Sequence, residues 1–139
     1  MKYSFLILLA LTATMAACTG SNSPTATVAT PTAPTSTETF PGTVQVGGVS
    51  FSPFNVSQAG TVTVTLTAAG PPSTIWMGLG IGTPSATTCA VIQADSTITQ
   101  AGATAQLSGT LTAGSYCVQV YDIGNQVAPV TYSVTVAHT

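Results

Sequence analysis

The segment Thr61–Thr67, TVTVTLT, alternates apolar and hydroxyl side chains with period two. In an extended chain this places Val62, Val64 and Leu66 on one side and four threonines on the other, which predicts a strand with one dry and one wet face. A helix would scatter the same residues around its axis. The same period recurs along the chain. Thr43 to Val46 alternates and is followed by Gly47-Gly48, a tight-turn signal leading into Val49 and Phe51. Pro53 then interrupts, and the apolar phase moves to Phe54 and Val56, as it would at a bulge or an edge position at Ser52-Pro53. Ile75, Met77, Leu79 and Ile81 form an inward row, with Trp76, Gly78 and Gly80 on the other face. Further strands are expected over Cys89–Ile92, Thr104–Leu111, Ser115–Tyr121 and Val130–Val136. No segment combines helical caps with a helical apolar stripe. About seven or eight short strands punctuated by Gly and Pro predict an all-β domain, a single antiparallel β-sandwich of jelly-roll type, over residues 40–139.

Charge limits what such a domain can do. Of 139 residues only Lys2, Glu38, Asp95 and Asp122 carry it, a fraction of 3%, against about a quarter in ordinary soluble domains. One Lys and no Arg cannot neutralise a phosphate backbone, so nucleic acid is excluded as a partner. No metal is expected: CxxC spacing is absent, and the sole histidine, His138, is the penultimate residue. That position predicts a frayed His138 and no Ser-His-Asp site. Asp95 and Asp122 are the only carboxylate pair beyond residue 39 that could flank a glycosidic bond, and both stand beside turn residues, where aspartate is ordinarily solvated. Cys117 has no basic neighbour in sequence to lower its pKa. No catalytic residue, cofactor or metal ligand is therefore expected, and the chain reads as non-enzymatic.

The N-terminus predicts export. Lys2 precedes an apolar run, Phe5–Leu11, and a small-residue stretch, Thr12–Ala17. The run is shorter than the roughly 20 residues that span a bilayer, so residues 1–17 read as a cleaved signal peptide. Met15-Ala16-Ala17-Cys18 resembles a bacterial lipobox, with Met15 in place of the usual Leu. The resemblance implies a lipid on Cys18 and an envelope location, the outer membrane if the cell is Gram-negative, since Thr19 lacks the Asp that favours retention. Ordinary cleavage near Ala17 is the alternative. With Cys18 so used, Cys89 and Cys117 are left as an even pair for a disulfide in an oxidising compartment, against two separate buried thiols. Residues 18–39 contain Pro24, Pro31 and Pro34 and almost no large apolar side chain, which predicts an extended tether, plain or glycosylated.

The stretch from Gly109 to Val136 resembles the bacterial pre-peptidase C-terminal domains, small β-sandwiches found in secreted and surface proteins. Leu111, Gly114, Tyr116, Val118, Val120, Tyr132, Val134 and Val136 carry the likeness. Calcium-binding relatives use clusters of carboxylates, which two aspartates cannot supply, so no calcium site is carried over. Residues 19–39 also leave no room for a peptidase domain. Binding is the remaining chemistry. Trp76 and Tyr121 are expected to face outward, and with Gln119 and Asn125 they could form a sugar-stacking platform. The structural alternative is that Trp76 covers Gly78 and Gly80. The Thr-x-Thr row resembles ice-ordering surfaces but occurs convincingly once. The expected function is an envelope lipoprotein held by a lipid anchor, displaying a β-sandwich for adhesion, polysaccharide contact or assembly with envelope proteins. A carbohydrate-binding module and a subunit that self-associates through strand edges are the alternatives.

Overall fold

A computed structural model describes residues 36–139, preceded by residues 31, 33 and 34. The signal peptide, Cys18 and most of the expected tether lie outside the described residues. The strands are β1 Ser36–Val44, β2 Val49–Val56, β3 Gly60–Gly70, β4 Met77–Pro84, β5 Cys89–Thr99, β6 Leu107–Leu111, β7 Gly114–Tyr121 and β8 Val130–His138, and no helix occurs among the described residues. Two antiparallel sheets have the orders β1-β8-β3-β6 and β2-β7-β4-β5. The pairs 1-8, 2-7, 3-6 and 4-5 are nested, as if one long hairpin had been rolled up, and this is the jelly-roll sandwich.

The two-residue periods explain the interior. Val62, Val64 and Leu66 of β3 and Val130, Tyr132, Val134 and Val136 of β8 are buried from one sheet, and Phe54, Val56, Met77, Leu79, Ile81, Val118 and Val120 from the other. The Tyr132 hydroxyl crosses the interior to bond Ser50 Oγ at 2.8 Å. Outside the first sheet, Thr37, Thr39 and Thr43, Thr61, Thr63, Thr65 and Thr67, Thr110, and Thr131 and Thr135 stand at the water-facing positions. Thus the threonines of four strands share one hydroxyl face.

Several expectations change. Strand β1 starts at Ser36, four residues ahead of the boundary expected at Phe40, because Ser36–Thr39 pair with His138–Thr135 of β8. Gly47, at φ 68°, makes the expected tight turn, but the turn carries the chain from one sheet to the other and does not close a hairpin. No bulge occurs at Ser52-Pro53: β2 pairs with β7 in unbroken register, and the apolar phase changes because Val49 and Phe51 face outward while Ser50 and Ser52 face in. Pro53 is tolerated because β2 is an edge strand. The other edges are blunted too. β1 contains Pro41, β6 has five residues, and β5 pushes Ile92–Asp95 out of register between Val91 and Ser96.

Beyond Val64, β3 has no strand partner on its β6 side, and Gln106 takes that place. Its Oε1 accepts from Leu66 N at 2.7 Å, and its own backbone N–H bonds Val64 O at 3.0 Å. Cys89 and Cys117 are joined, with Cα atoms 5.9 Å apart. These residues belong to β5 and β7, which β4 separates, so the first residues of β5 must fold over β4. Gly82 permits this: a Cβ there would meet the Ala90 carbonyl at 2.3 Å. The cross-link closes a 28-residue separation. In the loop-entropy model, Cys89→Ala with Cys117→Ala should lower unfolding free energy by about 3 to 4 kcal/mol. Chemical denaturation of the oxidised protein and of the double variant checks this.

Candidate functional site

Four chain reversals meet at one end of the sandwich and are bonded to one another. Asp122 supplies the main clasp. Its Oδ2 accepts from Gly47 N at 2.7 Å, and its Oδ1 accepts from the backbone N–H groups of Gly124, Asn125 and Gln126 at 2.8, 3.1 and 3.2 Å. One carboxylate therefore shapes the β7–β8 loop and ties it to the β1–β2 turn. Gly124, at φ 91°, supplies the left-handed residue this turn requires. Asn125 Nδ2 donates to Trp76 O at 3.0 Å, joining the β7–β8 and β3–β4 loops, and Gln100 Nε2 donates to Thr74 O, adding the β5–β6 loop. The chain enters β1 at the opposite end, where Ser36 pairs with His138 and Ser57 N bonds Thr139 O.

Between these loops lies a cleft of about 290 Å³ lined by Pro71, Pro72, Thr74, Ile75, Trp76, Asn125, Val127 and Ala128. Trp76 is 49% exposed, and other side chains make the contacts nearest the neighbouring glycines. Tyr121 covers Gly78 and Val91 covers Gly80: an added Cβ would meet their side chains at 2.1 and 2.6 Å. The structural alternative for Trp76 is thus replaced by two other side chains. Register places Val49, Tyr121, Gly78 and Ile98 in one row across all four strands of the sheet, on its outer face, with Gln119 in the next row opposite Gly80. The alternation Ile75 in, Trp76 out, Met77 in sets Trp76 on that same side. Trp76, Asn125 and Tyr121 are gathered at the loop end, and Gln119 lies one row further into the sheet.

Among the described residues, six of the seven exposed large apolar side chains belong to this end: Val46, Val49, Trp76, Ile98, Ile123 and Val127. The seventh, Ile92, sits in the β5 excursion. The aliphatic members escaped sequence reasoning because they are scattered over three separate stretches, and only topology brings them together.

The remaining titratable groups are structural in their contacts. His138 is buried rather than frayed, since β8 continues through it; its ring packs on Phe54 at 5.5 Å, and Nε2 lies 2.8 Å from Glu38 Oε1. Asp122 stands in a turn, as expected, and each of its carboxylate oxygens is engaged by backbone amides. Among the described residues, no three His, Cys, Asp or Glu side chains gather as a metal centre would require. Neither a family model nor a curated protein matches the chain.

Two outcomes follow. The Gly47 amide above all, with those of Gly124, Gln126 and Asn125, holds the Asp122 carboxyl below the ordinary aspartate value against the opposing effect of desolvation. A lowered folded-state pKa contributes stability that is present above the unfolded value and lost as pH falls through the folded one. Thermal melts should show a loss on the acid side of about pH 4 that is shallower in Asp122→Asn, which should also melt lower at neutral pH. Trp76→Ala, at a half-exposed position, should leave the melting temperature nearly unchanged, and a fall comparable to that of a buried large-to-small substitution would mark Trp76 as part of the core.

Proposed function

We propose that this protein is a non-enzymatic cell-envelope lipoprotein, lipidated on Cys18, that displays its sandwich for adhesion or binding through the loop end. The observation carrying this reading is polarity along the domain: the chain enters β1 at one end, and the exposed apolar side chains collect at the other. A tether attached at Ser36 leaves the loop end free to face away from it. The Cys89–Cys117 bond supports an oxidising compartment. The jelly-roll order suits the likeness of Gly109–Val136 to pre-peptidase C-terminal domains, which belongs to this proposal as a statement of kinship rather than of activity.

The alternatives fit less well. Self-association through strand edges is opposed by Pro41 on β1, Pro53 on β2, the shortness of β6 and the β5 excursion. A sugar platform would use Trp76, Tyr121, Gln119 and Asn125, but Asn125 donates to the Trp76 carbonyl, Gln119 lies a row further into the sheet, and most of the exposed large side chains nearby are aliphatic.

Expression of the full chain and of Cys18→Ser in a bacterial host tests the anchor. The parent should fractionate with membranes and yield a mature N-terminus at Cys18 bearing acyl mass, whereas the variant should be released in soluble form. An unmodified N-terminus on the parent would sink the proposal.

A further inference from the structure

Loops are ordinarily polar because their surroundings are water, yet the loop end places Val46, Val49, Trp76, Ile98, Ile123 and Val127 in solvent, with Val127 97% exposed. Strand propensity does not account for Val46, Ile123 and Val127, which lie outside the strands. Several polar groups of this end are engaged within the loops themselves. Asp122 caps four backbone N–H groups, Gly48 N bonds Gln45 O, Asp122 N bonds Gly48 O, and Ile75 N bonds Pro72 O. Pro71, Pro72 and Pro129 have no N–H to satisfy. These bonds engage part of the loop backbone, which lowers the cost of its approach to a medium that offers no hydrogen bonds.

We propose that the loop end docks on a neutral lipid surface, with these six side chains entering the interfacial layer. This rests on the display reading and names the partner of the displayed end. Trp suits the interface because its ring is apolar while its indole N–H can remain with the headgroups. The absence of any Lys or Arg among the described residues leaves nothing to attract anionic lipid, which selects a neutral or zwitterionic surface. The Asp122 carboxylate keeps insertion shallow, in the headgroup region. A glycan would need hydrogen-bonding groups around its rings, and here the cleft walls facing solvent are mainly the carbon surfaces of Pro71, Pro72, Val127 and Ala128.

Trp76 is the single tryptophan of the chain, so its fluorescence reports this end directly. The full chain carrying Cys18→Ser, recovered in soluble form, removes any acyl chain on that residue and separates this test from that of the anchor. With phosphatidylcholine vesicles, Trp76 emission should move to shorter wavelength and be quenched by lipids brominated on their acyl chains. Val127→Asp should weaken partitioning by roughly tenfold, Ile123→Asp should act in the same direction, and Thr65→Asp on the hydroxyl face should leave it unchanged. An unaltered spectrum would overturn the proposal, as would quenching that survives both loop substitutions or that requires phosphatidylglycerol. A shift produced by soluble glycans alone would assign the end to sugar, and one that grows with protein concentration without lipid would assign it to a second copy; each of these also overturns docking on lipid.

Discussion

Burial of facing aliphatic rows between the two sheets is the interaction on which the rest of the molecule depends. One fully buried Val, Leu or Ile side chain contributes about 1.5 to 3 kcal/mol, and the interior holds twelve large side chains with essentially no exposure. Coulombic attraction offers no comparable source. Among the described residues one contact could act as an ion pair, that of His138 with Glu38 when the imidazole is protonated, and its carboxylate is half-exposed, where such pairs contribute on the order of 0 to 1 kcal/mol. The strict alternation in β3 and β8 is thus a requirement rather than an ornament: shifting either strand by one residue would turn its apolar row to water and its threonines into the interior.

A fold with few charges must settle its polar backbone by other means, and it does so by concentrating the task. Gln106 completes the exposed edge of β3 with a side chain where a strand is missing. Asp122 satisfies donors from two loops with one carboxylate. Ordinary domains spread such duties over many Asp, Asn and Arg residues. Here a few polar side chains, Asp122, Asn125 and Gln100, shape the loop end, while six large apolar side chains remain exposed on it.

Much of this was legible in the chain. Period two in Thr61–Thr67 and Val130–Val136 located β3 and β8, and the odd cysteine count isolated the Cys89–Cys117 pair. What stayed hidden depends on distant partners. Nothing local in Ser36–Thr39 distinguishes a tether from an edge strand, because its pairing comes from β8, about a hundred residues later in the sequence. The same holds for His138, whose burial is fixed by Phe54 and Glu38, and for Gly82, whose lack of a side chain matters only once Ala90 crosses above it. Trp76, Tyr121 and Asn125 were recognisable as outward residues, but Val46, Ile123 and Val127 became part of a site only when the jelly-roll order joined their loops.

The two exteriors of the sandwich differ, and the difference bears on where function resides. On the β1-β8-β3-β6 sheet the outward positions are nearly all hydroxyls, which favour strands and stay wetted without charge, so strand formation alone accounts for them. The opposite sheet and the loop beside it carry Val49, Ile98 and Trp76 outward, and at the two strand positions, Val49 and Ile98, a threonine would have served equally well as a strand former. Fold stability gives no reason for that choice, because these side chains add little to the sealed interior and expose apolar surface to water. The asymmetry therefore supports the loop end, rather than the threonine face, as the surface through which the proposed docking would act.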